Sequence, residues 1–130
     1  MSNLVAVYGS LRKGFGNHRL LEGCKQLGNH WVPGFEMFSL GAFPGIRKGH
    51  SHIFTEVYEV DDDTLKRLDL LEGYRGVEEM NFYDRIEVDT PYGDAKMYTL
   101  EGVQYQDNPV VEGGNWAFNK RKEVKLKDLI

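Results

Sequence analysis

The sequence holds a single cysteine, Cys24, so no internal disulfide can brace the fold, which suits a reducing, cytoplasmic setting. It also has no apolar run near the roughly 18 residues that a membrane span needs. Its start, Met1-Ser2-Asn3, has no basic region leading into an apolar stretch. A soluble protein with no membrane partner is expected. Positive charge is not in excess either. Sixteen Lys and Arg against twenty Asp and Glu leave a net charge of −4, which repels a phosphate backbone and argues against nucleic acid as a partner. The local exception is the tail, where Lys120, Arg121, Lys122, Lys125 and Lys127 outnumber Glu123 and Asp128 and read as a solvated face. Repeats, low-complexity stretches and linkers are absent, so residues 1–130 are read as one domain with one core.

What is present is ordinary for a globular protein: 41% hydrophobic and 28% charged residues, with fifteen glycines that imply many turns. Leu4-Val5-Ala6-Val7-Tyr8 is a continuous apolar run ending at Gly9, the pattern of a central strand buried on both faces. Asn17 is placed to N-cap a short helix carrying Leu20 and Leu21 and closed by Gly23. Between Gln26 and Leu40, Pro33-Gly34 divides two strands by a turn or bulge, and Gly41 to Gly49 reads as a loop before an alternating strand from His52 to Val60. Carboxylates at Asp61 to Asp63, leucines at 65, 68 and 71, and Gly73 mark the clearest helix. Phe82 to Val88 and Ala95 to Leu100 form a hairpin around Pro91-Tyr92-Gly93-Asp94. Strands outnumber helices and hairpins dominate, so the expected fold is α+β: a mixed, mostly antiparallel sheet or small barrel with one or two flanking helices.

Glu72 occupies the most informative position. At 100° per residue it lies about 20° from Leu65 and about 40° from Leu68, so its carboxylate continues the apolar stripe. It also stands in the last turn, where the helix dipole disfavours negative charge. Burial and dipole both raise its pKa toward the range useful for general acid/base work. The competing reading pairs Glu72 with Arg75 or Arg85 or lets it fray into solvent. Asp69, about 40° from Leu65 on the other flank, reads as a surface or capping partner.

The turn at Tyr8-Gly9-Ser10-Leu11 is the second candidate, because Gly9 permits close approach of a ligand and successive N–H groups at a strand end can cradle an anion. Arg12 adds positive charge. No Gly-Lys-Ser/Thr follows, so this is not a P-loop. His50 and His52 share one side of a strand but have no clear third ligand, so no metal is expected. Cys24 has no base at local spacing, and Ser10 lacks a nucleophile elbow.

Taken together, Val7-Tyr8-Gly9-Ser10-Leu11-Arg12-Lys13-Gly14 with Asn17, Leu40-Gly41-Ala42-Phe43-Pro44-Gly45, Glu56-Val57-Tyr58-Glu59-Val60, Leu68-Asp69-Leu70-Leu71-Glu72-Gly73, Tyr83-Asp84-Arg85 and, more loosely, Glu112-Gly113-Gly114-Asn115-Trp116 resemble the gamma-glutamylcyclotransferase-like family, including its gamma-glutamylamine cyclotransferase and avirulence-induced-gene-like branches. The resemblance implies a compact mixed barrel with flanking helices and an acyltransferase- or lyase-type enzyme that releases 5-oxoproline from a small gamma-glutamyl substrate. It implies Glu72 as the catalytic acid/base, and Tyr8, Gly9, Ser10 and Leu11 as the substrate-binding turn. Arg12, Pro44, Gly45, Tyr83 and Arg85 are implied as pocket support, with no cofactor. The segment Tyr74 to Asn81 is longer and more polar than the family pattern and is expected to border the pocket. Three alternatives stand beside this reading: a binding module that keeps the pocket without turnover, a hydrolase pairing Glu72 with a second carboxylate such as Glu101, and an interaction protein using the basic tail.

Overall fold

The computed structural model describes residues 2–117. The first apolar run is strand β1 (Ser2–Val7), and its place is central: it pairs antiparallel with β3 (Pro44–Asp61) and parallel with β5 (Gly93–Thr99). Strands β2 (Lys25–Ser39) and β4 (Asp84–Thr90) complete the order β2-β3-β1-β5-β4. The single parallel pair makes the sheet mixed, and every other pairing is antiparallel. The sheet curls into a half-barrel with one α-helix, so the α+β class holds and β2 and β4 remain edges.

The alternation of β1 carries the core to both faces of the sheet. Val5 and Val7 join Leu68, Tyr83 and Tyr98 on the helix side, while Ala6 and Tyr8 join Ile46, Met97 and Trp116 on the other. A strand buried on both faces must be apolar throughout, which is what the run from Leu4 to Tyr8 provides.

Helix α1 (Asp62–Glu72) begins as its sequence dictates. The Asp61 side chain caps it by accepting from the Thr64 N–H at 2.7 Å, and Gly73 ends it in the left-handed region at φ 69°. Glycine is needed there for a second reason, since a Cβ on Gly73 would lie 2.9 Å from the Phe82 Cβ. Leu68 is fully buried beneath the helix.

Three expectations are corrected. Pro33-Gly34 does not separate two strands: β2 is continuous and takes up the pair as a bulge between Pro33 and Phe35, where an edge position tolerates the missing proline N–H. The loop after β2 is shorter than the Gly41 to Gly49 span, because β3 starts at Pro44 and the segment to Lys48 pairs along β2. Asn17 precedes a 3-10 turn (His18–Leu21) without capping it; its amide is used elsewhere, as described below. The basic tail, Lys120 to Lys127, lies outside the described residues.

Candidate functional site

A cavity of about 460 Å³ opens where the chain leaves the C-terminal end of β1. The turn from Tyr8 to Leu11 forms one wall and the end of α1, with Leu71 and Glu72, forms another. Phe43 enters from the loop before β3, Pro44 from the first position of β3, Phe82 and Tyr83 from the segment after α1, Tyr98 from β5, and Trp116 from the far end of the described chain. Phe43 meets Phe82 edge to face at 6.4 Å, and Phe82 and Leu71 are 51% and 42% exposed, so the apolar mouth is open to solvent.

Glu72 is the one carboxylate lining this cavity among the described residues. Its side chain is half-buried and makes no hydrogen bond or ion pair among the described residues, and desolvation pushes its pKa from the ordinary carboxylate range up to about 7. The pairing considered from sequence does not form: Arg85 binds Asp69 instead, Nη1 to Oδ2 at 2.6 Å. The backbone holds Glu72 in place from the other side. The Tyr83 N–H donates to the Glu72 carbonyl at 3.1 Å and the Phe82 N–H to the Gly73 carbonyl at 2.9 Å, clipping the aromatic pair beside the carboxylate.

The turn is fixed by its own bonds. The Arg12 N–H donates to the Gly9 carbonyl and the Asn17 N–H to the Ser10 carbonyl, each at 3.0 Å. The Asn17 side chain also donates to Ser10 Oγ at 3.0 Å. The Ser10 and Leu11 N–H groups donate to no acceptor among the described residues, so the turn carries free backbone donors beside the cavity.

Three tyrosines line the inner wall with their protons already placed. Tyr8 donates to the Tyr98 carbonyl at 2.8 Å, Tyr83 to the Pro44 carbonyl at 2.7 Å, and Tyr98 to Asp69 Oδ1 at 2.7 Å. Desolvation, reinforced by the nearby Glu72 charge, raises the pKa of all three, so they remain neutral hydroxyls.

Of the residues anticipated from sequence, Tyr8, Gly9, Ser10, Leu11, Pro44, Glu72 and Tyr83 line the cavity together. Arg12, Gly45 and Arg85 do not. Arg12 turns away and is buried in a network: Nε donates to Glu56 Oε2 at 3.1 Å and Nη1 to Asn115 Oδ1 at 2.9 Å, and the guanidinium lies 4.6 Å from the Phe54 ring centroid. Gly45 lies where a Cβ would meet the Phe38 ring at 2.7 Å. Tyr74 to Asn81 lines no part of the cavity; Asn81 closes that loop on itself through the Arg75 N–H and the Gly76 carbonyl. Asp69 is half-buried, and it bridges Tyr98 and Arg85 behind the wall. Phe15, Phe43, Phe82, Tyr98 and Trp116 line the cavity without having been anticipated as site residues. The Phe82-Tyr83 adjacency and the Trp116 patch were the available signals.

Outside the cavity, His52 packs edge to face on Trp31 at 5.4 Å, and no group of three metal-ligating side chains occurs among the described residues. Glu101 accepts from the Lys48 N–H at 3.0 Å and lines no part of the cavity. No helix of the described residues is long and apolar enough to cross a membrane.

The chain is thus an α+β protein whose curled mixed sheet carries an open-mouthed cavity at the end of its central strand, with one carboxylate and backbone donors that have no partner among the described residues. The family described as gamma-glutamyl cyclotransferase, AIG2-like, matches residues 5–118, and the chain belongs to it. It is 37% identical over 116 residues to the gamma-glutamylcyclotransferase family protein ytfP of Citrobacter rodentium, covering 86% of this chain and 93% of the relative. It is 35% identical to YtfP of Escherichia coli, covering 86% and 94%. The solution structure of the E. coli protein superposes with a TM-score of 0.70 at 33% identity over 92% of this chain and 99% of that one. The crystal structure of PH0828 from Pyrococcus horikoshii superposes with a TM-score of 0.77 at 28% identity, over 95% and 97%.

Proposed function

We propose that the protein is a gamma-glutamyl cyclotransferase that releases 5-oxoproline from a gamma-glutamyl amino acid or amine by intramolecular aminolysis, with Glu72 as general acid/base. One observation carries this reading: the cavity holds a lone, unpartnered carboxylate whose pKa is pushed up to about 7. A group titrating near neutrality is suited both to accept and to return a proton.

The chemistry asks little else of the protein. The substrate supplies nucleophile and electrophile in one molecule, so the pocket must fold it until the α-nitrogen approaches the γ-carbonyl. Glu72 takes a proton from the α-ammonium, and the freed lone pair attacks the γ-carbon, forming the ring C–N bond. The bond to the leaving amine then breaks as Glu72 returns that proton to the amine, and the ring nitrogen gives up its second proton to the carboxylate so freed, which passes it to the departing amine to leave it as an ammonium. Free N–H groups at Ser10 and Leu11 suit the glutamyl carboxylate and the oxyanion that develops on the γ-carbonyl.

The hydrolase alternative is disfavoured by the same cavity. Paired-carboxylate catalysis needs a second carboxyl about 5 to 9.5 Å away, and none lines the cavity among the described residues. A binding module on the same pocket remains the second reading, since the free donors and the open mouth suit a ligand with or without turnover.

The test is mass-spectrometric detection of 5-oxoproline and the partner amine from a panel of gamma-glutamyl amino acids and amines. Equimolar release identifies the leaving group. Ligand binding without release, equal in wild type and Glu72→Gln, supports the binding module instead.

A further inference from the structure

The polar groups of the cavity differ in what they can still offer a ligand. Tyr98 gives its only hydroxyl proton to Asp69 Oδ1 at 2.7 Å. Asp69 is held in that role by Arg85, which donates to Oδ2 at 2.6 Å while its guanidinium lies 4.6 Å from the Tyr74 ring centroid. An ionised, anchored acceptor outcompetes a neutral one for that proton, so the Tyr98 oxygen can present only lone pairs to the cavity. Tyr83, its proton fixed on the Pro44 carbonyl, is limited in the same way. Asp69 and Glu72 stand three residues apart on α1 and therefore share one edge of the helix. Ser10 is the opposite case: its oxygen already accepts from Asn17, which leaves its hydroxyl proton free to donate. The cavity therefore has a donor end at the turn and an acceptor end at the helix.

Resting on the cyclotransferase reading, we propose that Asp69 is a positioning residue that makes Tyr98 an obligate acceptor for the substrate α-ammonium, presenting the amine to Glu72 and the α-carboxylate to Ser10. An ammonium carries three N–H donors. One is surrendered to Glu72, and the others need acceptors if the freed lone pair is to point at the γ-carbonyl. Tyr98 keeps its own proton throughout, and Asp69 exchanges none. Replacing Asp69 by Asn inverts the arrangement at constant volume. Arg85 claims the amide oxygen, the amide nitrogen donates to Tyr98, and the tyrosine proton swings into the cavity, where it opposes a cation.

The experiment is calorimetric binding of two ligands that cannot cyclise: L-methionine sulfone, whose sulfone replaces the γ-carbonyl, and 4-(methylsulfonyl)butanoate, the same chain without the amine. Wild type, Tyr98→Phe and Asp69→Asn are compared, with thermal melts establishing that each is folded. The expected result is that preference for the amine-bearing ligand falls about tenfold or more in both variants, as for a lost hydrogen bond to a charged group, while affinity for the amine-free ligand holds within about threefold. A purely structural Asp69 would weaken both ligands together. If wild type forms 5-oxoproline and the preference survives in both variants, this proposal is overturned and the cyclotransferase reading stands. If wild type binds neither ligand and forms no 5-oxoproline, both are overturned. Should Asp69→Asn fail to fold, Tyr98→Phe decides alone.

Discussion

Gly9 lies so close to Pro44 that a Cβ built on it would stand 2.8 Å from the proline Cγ and 2.9 Å from Cδ. Both residues line the cavity, so the contact sets the spacing between the Tyr8 to Leu11 turn and the start of β3. Gly9→Ala must push one of them away. Since a displacement near 1 Å can cost about 100-fold in rate, kcat/KM is expected to fall by roughly that factor, with about 1–3 kcal/mol of overpacking cost. Adding Pro44→Ala makes room for the new methyl group. Steady-state kinetics on the single and double variants check whether activity returns.

Arg12 supports the turn from behind through Glu56, and both side chains are almost fully buried. Glu56 also accepts from the Lys13 N–H at 2.9 Å and the Tyr58 hydroxyl at 2.8 Å, but these neutral donors do not cancel its charge. Arg12→Met is therefore expected to cost about 3–5 kcal/mol, the usual result of stranding one member of a buried pair. Glu56→Gln in the same chain should recover part of it. Urea denaturation midpoints measure both.

The carboxylate proposed to act in catalysis is a burden on the fold. Because the folded pKa of Glu72 is raised to about 7, the native state keeps a proton that the unfolded chain releases from about pH 4.3 upward. Its contribution to stability is therefore highest below the unfolded pKa and is lost as pH rises to about 7. The full shift corresponds to about 4 kcal/mol, reduced in practice because the open mouth lets solvent screen the charge. Glu72→Gln should be more stable than wild type at pH 8 by about 1–3 kcal/mol, with the gain fading toward pH 4. Denaturant titrations at the two pH values read it directly.

The same titration sets an expected pH profile. If ionised Glu72 accepts the ammonium proton, kcat/KM rises with pH along a limb with an apparent pKa of about 7 and levels above it. Glu72→Asp, shorter by one methylene, should keep a limb but lose rate. Glu72→Gln should lose the limb together with the activity.

Local patterns in the sequence were enough to place β1 at the centre of the sheet, α1 between Asp61 and Gly73, and Glu72 on the inward stripe, because each depends on periodicity and capping over a few residues. What escaped depends on distant partners. Asp69 and Tyr98 are 29 positions apart and meet only because β5 lies beside β1 under the helix. Arg12 looked like a pocket cation until Glu56, 44 positions away, claimed it. The early part of β3 read as a loop because Pro44 and its glycines suggest turns, yet Gly49 lies where a Cβ would meet the Glu36 Cβ at 2.9 Å, a close strand approach that favours glycine. Asn17 has the side chain of an N-cap, and only the folded turn directs its amide to Ser10.

The central claim is that Glu72 moves the proton in an intramolecular aminolysis. The measurement that tests it most directly is the rate of 5-oxoproline appearance from a gamma-glutamyl substrate, followed by mass spectrometry for wild type and Glu72→Gln at pH 8. The expected result is turnover by wild type and a loss of about 10²- to 10⁴-fold in the folded variant, the usual worth of general acid/base catalysis. Equal rates in the two proteins would contradict the assignment.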